Sequence, residues 1–217
     1  MSIPILYADS FLAVCEKPVG IPSESPGLPD LLSAQTGKKV WPVHRLDQGT
    51  GGAMIFAFSS ESCSVLQKMF QQSLIRKEYY AVISGCPETD TGRWQDLLWH
   101  DKARNKSYIV SRSRKGVKEA GCEWTVLGTS EQKDQRLSLV RVLLETGRTH
   151  QVRVQFGSRG FPLAGDRKYG SRISCSTYAL WSARISFPHP DRKRGFISVS
   201  SQPPSVFPWN LFSFPGS

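Results

Sequence analysis

The sequence predicts an α+β fold built on a mixed, largely antiparallel β-sheet with a few flanking helices, and three observations carry that expectation. Short runs rich in β-branched and aromatic residues recur along most of the 217 residues, separated by Gly, Pro and charged turns. Only two or three segments show helical spacing. Strands and helices do not alternate in the strict order that a parallel βαβ sheet requires. The chain is 39% hydrophobic, enough at this length for one core, so a single domain over residues 1–217 is expected.

Two β-like runs open the chain, Ile3–Ala8 and Phe11–Glu16, followed by a loop in which Pro18, Gly20, Pro22 and Pro29 fix the turns. Leu28–Thr36 reads as a short helix ended by Gly37, and Gly52–Phe58 as a buried strand. Ser60 is placed as the N-cap of a helix running to about Gln72, with Glu61 near its positive end and Val65, Leu66, Met69 and Phe70 forming an apolar stripe. Further strands are expected at Lys77–Ser84, Ser107–Ser111, Cys122–Leu127, Leu137–Glu145, Tyr178–Phe187 and Phe196–Ser200. The segment Thr149–Phe156 stays open between strand and helix: Val152, Val154 and Phe156 alternate, whereas His150 with Arg153 and Val152 with Phe156 match helical spacing. The tail Pro203–Gly216 reads as strand-poor and packed through Phe207, Trp209 and Phe212.

No run approaches the roughly 18 to 20 apolar residues of a membrane span, and the first residues lack a basic stretch followed by an apolar one, so a soluble cytoplasmic protein is expected. The five cysteines, Cys15, Cys63, Cys86, Cys122 and Cys175, contain no C-x-x-C pair and read as reduced packing residues. His44, His100, His150 and His189 stand far apart without H-E-x-x-H spacing, which argues against a metal-dependent hydrolase; neither a metal nor another cofactor is expected. With 28 Lys and Arg against 18 Asp and Glu, the net charge of +10 favours a polyanionic partner, because basic side chains release counterions condensed on phosphates.

Two polar segments could carry chemistry. Val43–Thr50 places a carboxylate, Asp47, two residues after Arg45 and just before an apolar strand; by itself such a segment reads equally as a capped turn. Glu145–Gln155 sets Arg148 and Arg153 around His150 and Gln151, and by itself reads as an amphipathic element with solvated arginines. Between them, Lys102–Lys118 holds seven basic residues and no acidic one, interleaved with Tyr108, a candidate phosphate-contacting edge.

Taken together the segments resemble the markers of RluA-type pseudouridine synthases. His44–Asp47 (HRLD), Lys77–Gly85 (KEYYAVISG), Thr146–Val154 (TGRTHQVRV) and Pro162–Gly170 (PLAGDRKYG) occur in the family's order, and looser similarity runs from Ile5 to about Pro188. The resemblance implies Asp47 as nucleophile, Tyr79 as the ring against the flipped uracil, Arg153 as the ion-pair partner of Asp47, Arg45 as the side chain that displaces the target base, and His44 and Arg148 as substrate-binding. It also implies a ribosomal or transfer RNA substrate, a monomer, and no N-terminal RNA-binding domain besides the catalytic one. The residue types suit the reaction. Isomerising uridine breaks the N1–C1′ bond and rejoins the base through C5, which needs a nucleophile and a closed pocket. A guanidinium beside a buried carboxylate keeps it ionised. Two departures stand out: Thr50-Gly51-Gly52 where the family usually has Thr-Ser-Gly, and Leu180-Trp181-Ser182 where it usually has Leu-His followed by a small residue. Gly51 is expected to loosen the loop behind Asp47. The main rival is a non-catalytic RNA-binding protein on the same fold.

Overall fold

A computed structural model describes residues 1–132 and 135–215. In chain order the elements are β1 Ile5–Ala8, β2 Leu12–Lys17, α1 Leu28–Thr36, β3 Trp41–Pro42, β4 Gly51–Ala57, α2 Ser60–Gln71, β5 Arg76–Ser84, β6 Thr91–Asp101, β7 Lys106–Val110, β8 Val117–Gln132, β9 Gln135–Leu144, α3 Gln151–Gly157, β10 Leu180–Pro188 and β11 Phe196–Ser200. Single 3-10 turns lie at Arg167–Tyr169, Arg192–Arg194 and Trp209–Leu211. The architecture is α+β with a mixed, mostly antiparallel sheet, as the sequence predicts. The chain divides into two compact units, Met1–Glu78 with Trp181–Pro203, and Tyr79–Leu180 with Pro204–Ser217.

In the first unit the strands run in the order β1-β2-β4-β10, with β3 on β4 and β11 on β10. β4 pairs antiparallel with β2 from Leu12↔Ala57 to Lys17↔Gly52, and parallel with β10 at Trp181↔Gly51 and Ser182↔Gly52. Its seven residues are all buried, so β4 is a central strand, apolar on both faces. On one face Leu12, Val14, Ala53, Ile55, Ala57, Ile185 and Phe187 pack against Cys63, Leu66 and Met69 of α2. The α2 cap is Ser59, one residue before the serine expected: its Oγ accepts from Ser62 N–H. Between adjacent serines the sequence offers no way to choose. α1 takes its expected bounds, with Asp30 accepting from Gly27 N–H at 2.7 Å and Gly37 closing it at φ 66°.

In the second unit the order is β5-β9-β8-β6-β7, with β6–β7, β6–β8 and β8–β9 antiparallel. β6 was not expected. Its first half alternates exposed Thr91, Arg93 and Gln95 with half-buried Gly92 and Trp94, too polar to read as a strand without its neighbours. Trp94, Trp124 and Phe156 form an aromatic cluster with centroids 4.7 to 6.2 Å apart. The ambiguous segment is a helix, α3, opened by His150 in the left-handed region at φ 56°. Every residue from Gln151 to Phe156 is buried. A helix buried all round has no polar face, which explains why periodicity did not settle it. In the tail, Trp209 is buried but Phe207 is exposed; Phe214 rather than Phe207 packs on Trp209, at 6.3 Å, and on Tyr80, at 5.3 Å. Gly216, where the predicted tail ends, lies outside the described residues.

Candidate active site

The loop of the first unit is fastened on three sides. His44 accepts the Ile55 N–H on Nε2 at 3.1 Å and packs on Phe70, tying the loop to β4. Burial pushes this imidazole down to about 3, with the Lys77 charge adding to the effect, so His44 is neutral with its proton on Nδ1. Ser23 Oγ bonds both Leu46 N–H, at 3.1 Å, and Leu46 O, at 2.7 Å. Thr50 N–H closes a turn onto Asp47 O at 2.9 Å. Asp47 sits half-buried at the head of that turn.

Beneath it lies a residue that sequence reasoning treated only as part of a turn. Lys17 is fully buried, and its ammonium donates to Pro18 O, Gln48 O and Thr50 O at 3.1, 3.0 and 2.8 Å. Burial lowers it to about 8, while the Asp47 carboxylate pulls the other way. Gly20 N–H to Gln48 O and Gln48 Nε2 to Gly20 O clasp the two loops again. The signal in the sequence was a lysine ending a strand that is otherwise apolar but for Glu16. Arg45 points to solvent, 3.2 Å from an equally exposed Glu24, a pair worth little energetically and easily exchanged for phosphate.

The two departures from the family pattern meet in this unit. A Cβ on Gly51 would stand 2.3 Å from the Trp181 ring, and one on Gly52, at φ 106°, would stand 2.3 Å from Ser182 O. Gly51 is buried. Its missing side chain makes room for the indole. Trp181 Nε1 donates to Ser201 O at 3.1 Å, and Ser201 Oγ in turn bonds Glu16 at 2.7 Å.

In the second unit Tyr79 and Tyr80 of β5 are both buried, with Tyr80 against Phe214. Arg153 of α3 is 6% exposed in its side chain and binds Asp166, 1% exposed, through two bonds: Nε to Oδ2 at 2.6 Å and Nη2 to Oδ1 at 2.9 Å. The Tyr178 ring lies 3.8 Å from the guanidinium and that of Tyr169 5.2 Å. Thus a carboxylate fixes the edge of the guanidinium and an aromatic ring covers its face. The family resemblance pairs Arg153 with Asp47; within its own unit its partner is Asp166, to which sequence reasoning gave no role although it lies in the quoted PLAGD segment. Arg148 is half-buried and donates from Nε to Glu119 O at 2.8 Å. Gln151 shapes this turn, accepting from Thr146 Oγ1 and Arg148 N–H and donating to Gly121 O. His150 Nδ1 lies 3.0 Å from Tyr169 Oη, and burial together with the Arg153 charge pushes its pKa down to about 3.

The structure thus groups His44, Arg45 and Asp47 on one loop clasped by Lys17 at the end of β2, and Arg148, His150, Arg153 and Asp166 around α3. Among the described residues no three His, Cys, Asp or Glu side chains are grouped to hold a metal ion, and no helix is long and apolar enough to cross a membrane.

Comparison with known proteins gives a consistent result. A family described as RNA pseudouridylate synthase matches residues 12–158. The chain is 32% identical over 216 residues to tRNA pseudouridine synthase C of Haemophilus influenzae, covering 88% of this chain and 89% of that protein. It is 31% identical over 234 residues to an uncharacterized RNA pseudouridine synthase of Aquifex aeolicus, covering 95% and 72%. Human RNA pseudouridylate synthase domain containing 1 has a similar fold, with a TM-score of 0.81 at 20% identity over 95% of this chain and 85% of that one. Its domain containing 4 counterpart gives 0.76 at 22%, over 93% and 88%.

Proposed function

Because the chain belongs to the RNA pseudouridylate synthase family, and is therefore an isomerase acting on RNA, we propose that it converts a specific uridine of transfer or ribosomal RNA to pseudouridine with Asp47 as the nucleophile. It does so as a cytoplasmic monomer, without a metal or another cofactor, from a single catalytic domain. Transfer RNA is the substrate class to test first, since the similar protein of Haemophilus influenzae carries that substrate in its name.

The observation that carries the reading is the clasped turn around Asp47. A nucleophilic carboxylate must be both ionised and held, and the Lys17 ammonium supplies positive charge beside it while fixing the carbonyls on either side of Gly49. The family resemblance gives Arg153 the role of keeping Asp47 ionised and Tyr79 that of stacking on the uracil once it has left its helix, and both roles are part of this proposal. Arg45, able to release Glu24 at little cost, fills the gap that the base leaves, and Arg148 meets phosphate. His44 helps bind substrate by holding the loop. In the reaction the N1–C1′ bond breaks, the base turns within the pocket, C5 bonds to C1′, the C5 hydrogen leaves to water and N1 takes a proton. No electrons change hands overall.

The test follows that hydrogen. Wild-type protein should release tritium from C5-tritiated uridine in cellular RNA, and Asp47→Asn should release none while binding the same RNA with unchanged or slightly greater affinity. Turnover by Asp47→Asn removes Asp47 as nucleophile. Tight binding by the wild type with no tritium release from any cellular RNA favours the non-catalytic rival.

A further inference from the structure

Resting on the reading that this chain acts on RNA, we propose that one face of the β6–β7 hairpin is a stacking platform for an unpaired nucleotide of the substrate, with Trp99 and Tyr108 as its rings and Arg114 and Lys106 as its flanking cations. Strand alternation separates two faces here. Leu98 and Ile109 point to the interior, where they meet Ala120 and Val154. Their neighbours Leu97, Trp99, Tyr108 and Val110 therefore point the other way, paired across the hairpin as Leu97↔Val110 and Trp99↔Tyr108, and all four are only half-buried.

The two rings are near-parallel, 6.1 Å apart at 29°. The Arg114 guanidinium stands 5.2 Å from the Trp99 centroid and the Lys106 ammonium 5.6 Å from that of Tyr108. Arg114 lies in the loop between β7 and β8, and Gly116, at φ 86° and next to Trp99, turns that loop into β8, which pairs with β6 from Trp99↔Val117 onward. Around this array Lys102, Arg104, Arg112, Lys115 and Lys118 are exposed. Of the acidic side chains on β6 and β8 here, Asp101 stands 3.9 Å from Arg104 and Glu119 is paired opposite Leu97.

Charge complementarity selects a polyanion for this face, and the rings select among polyanions. Duplex RNA hides its bases and presents only phosphate and ribose, leaving Trp99 and Tyr108 without a partner; an unpaired nucleotide offers both a π-face and a phosphate. The hairpin is also wired to the arginine helix. Ser107 N–H donates to Tyr169 Oη at 2.8 Å, Tyr169 Oη meets His150 at 3.0 Å, and Ser107 Oγ donates to Thr149 O at 2.6 Å. A nucleotide held on the platform is thereby registered to α3, which carries Arg153.

The probes are a twelve-nucleotide oligouridine and a blunt duplex of the same length, bound to the full chain at fixed salt. Trp99→Leu should weaken oligouridine binding about ten- to hundredfold, the range for losing one base–aromatic stack, and should leave duplex binding nearly unchanged. Trp99→Phe, which keeps a ring, should recover most of the loss. A second measurement needs no variant: 5-iodouridine placed in the oligonucleotide and irradiated should attach to Trp99 or Tyr108, read by peptide mass. Equal losses on both probes, no loss on either, adducts confined to other peptides, or an acidic peptide that competes as well as oligouridine would each overturn the platform. Its failure and that of the proposed reaction are separable. Tritium release by a protein whose Trp99→Leu variant binds normally sinks the platform alone; single-strand preference lost in Trp99→Leu without any tritium release in the wild type sinks the reaction alone.

Discussion

Cutting Asp166 back to alanine should take two charge-assisted bonds away from a buried guanidinium, and the structure sets the size of the effect. The Arg153 and Asp166 side chains are 6% and 1% exposed and share two short bonds, so bulk water does not reach the guanidinium edge that the carboxylate covers. Two charge-assisted bonds at roughly 1.5 to 3 kcal/mol each give about 3 to 6 kcal/mol, in line with the ~3 to 5 kcal/mol typical of breaking a buried pair from one side. The Tyr178 ring still covers the guanidinium face and limits the loss to the lower part of that range. For a chain of this size ~3 kcal/mol corresponds to a Tm lower by about 6 to 12 °C. Differential scanning calorimetry of Asp166→Ala, Asp166→Asn and the pair Arg153→Met with Asp166→Leu checks the reasoning. Asp166→Asn keeps one acceptor and should fall in between. The apolar pair removes both charges together and should be more stable than Asp166→Ala, although catalytically dead. An Asp166→Ala Tm within about 2 °C of wild type, or an apolar pair worse than the single change, would refute the claim that this ion pair is what holds Arg153.

Arg153→Ala should abolish tritium release from any substrate, whereas Arg45→Ala should reduce kcat/KM on a folded RNA more than on an unstructured oligonucleotide carrying the same uridine, because base extrusion there costs a few kcal/mol less; equal losses argue against a flipping role. Lys17, lowered from the ordinary 10.5 to about 8, releases its proton earlier in the folded chain than in the unfolded one. The unfolded chain then binds more protons between pH 8 and 10.5, so the stability of wild type relative to Lys17→Met should rise across that window, by about 1.4 kcal/mol per pH unit at most. A flat difference in urea melts would show that the three carbonyls and Asp47 keep the ammonium charged throughout. Since the chemistry assigned to Asp47 moves no electrons and uses a carboxylate and arginines, turnover should survive excess EDTA; loss that added divalent metal restores, with the RNA fold unchanged, contradicts that assignment. Gly51→Ser alone should lower stability by about 1 to 3 kcal/mol through overpacking against Trp181, and a thermal melt equal to wild type would show that the indole can move aside.

What could be read in advance follows from what local physics controls. α1 and β11 appear with their expected bounds, because a Gly stop and a short alternating run are local signals. The loop bearing Asp47 and the turn bearing Arg148 were legible as motifs. The partners were not. Nothing in the spacing of Lys17 or Asp166 says that one would lie beneath the Asp47 turn and the other against Arg153, since those pairings are made by the packing of distant strands. β6 stayed hidden because its inward residues include a glycine, Gly92, whose missing side chain is filled by Trp124. α3 stayed ambiguous because its polar residues, Gln151, Arg153 and Gln155, make their hydrogen bonds inside the protein rather than to solvent.

The fit of Trp181 into the space above Gly51 has a bearing on protein engineering. Two positions 130 residues apart in the chain are sterically coupled, because a side chain at Gly51 would occupy the space of the Trp181 ring. Consensus design, which changes one position at a time toward the commonest residue, would score each of these as an improvement and would damage the strand behind Asp47 with either. A graft of the Asp47 loop into a relative must therefore carry Gly51, Trp181 and the Ser201 acceptor of the indole together, as a single cassette.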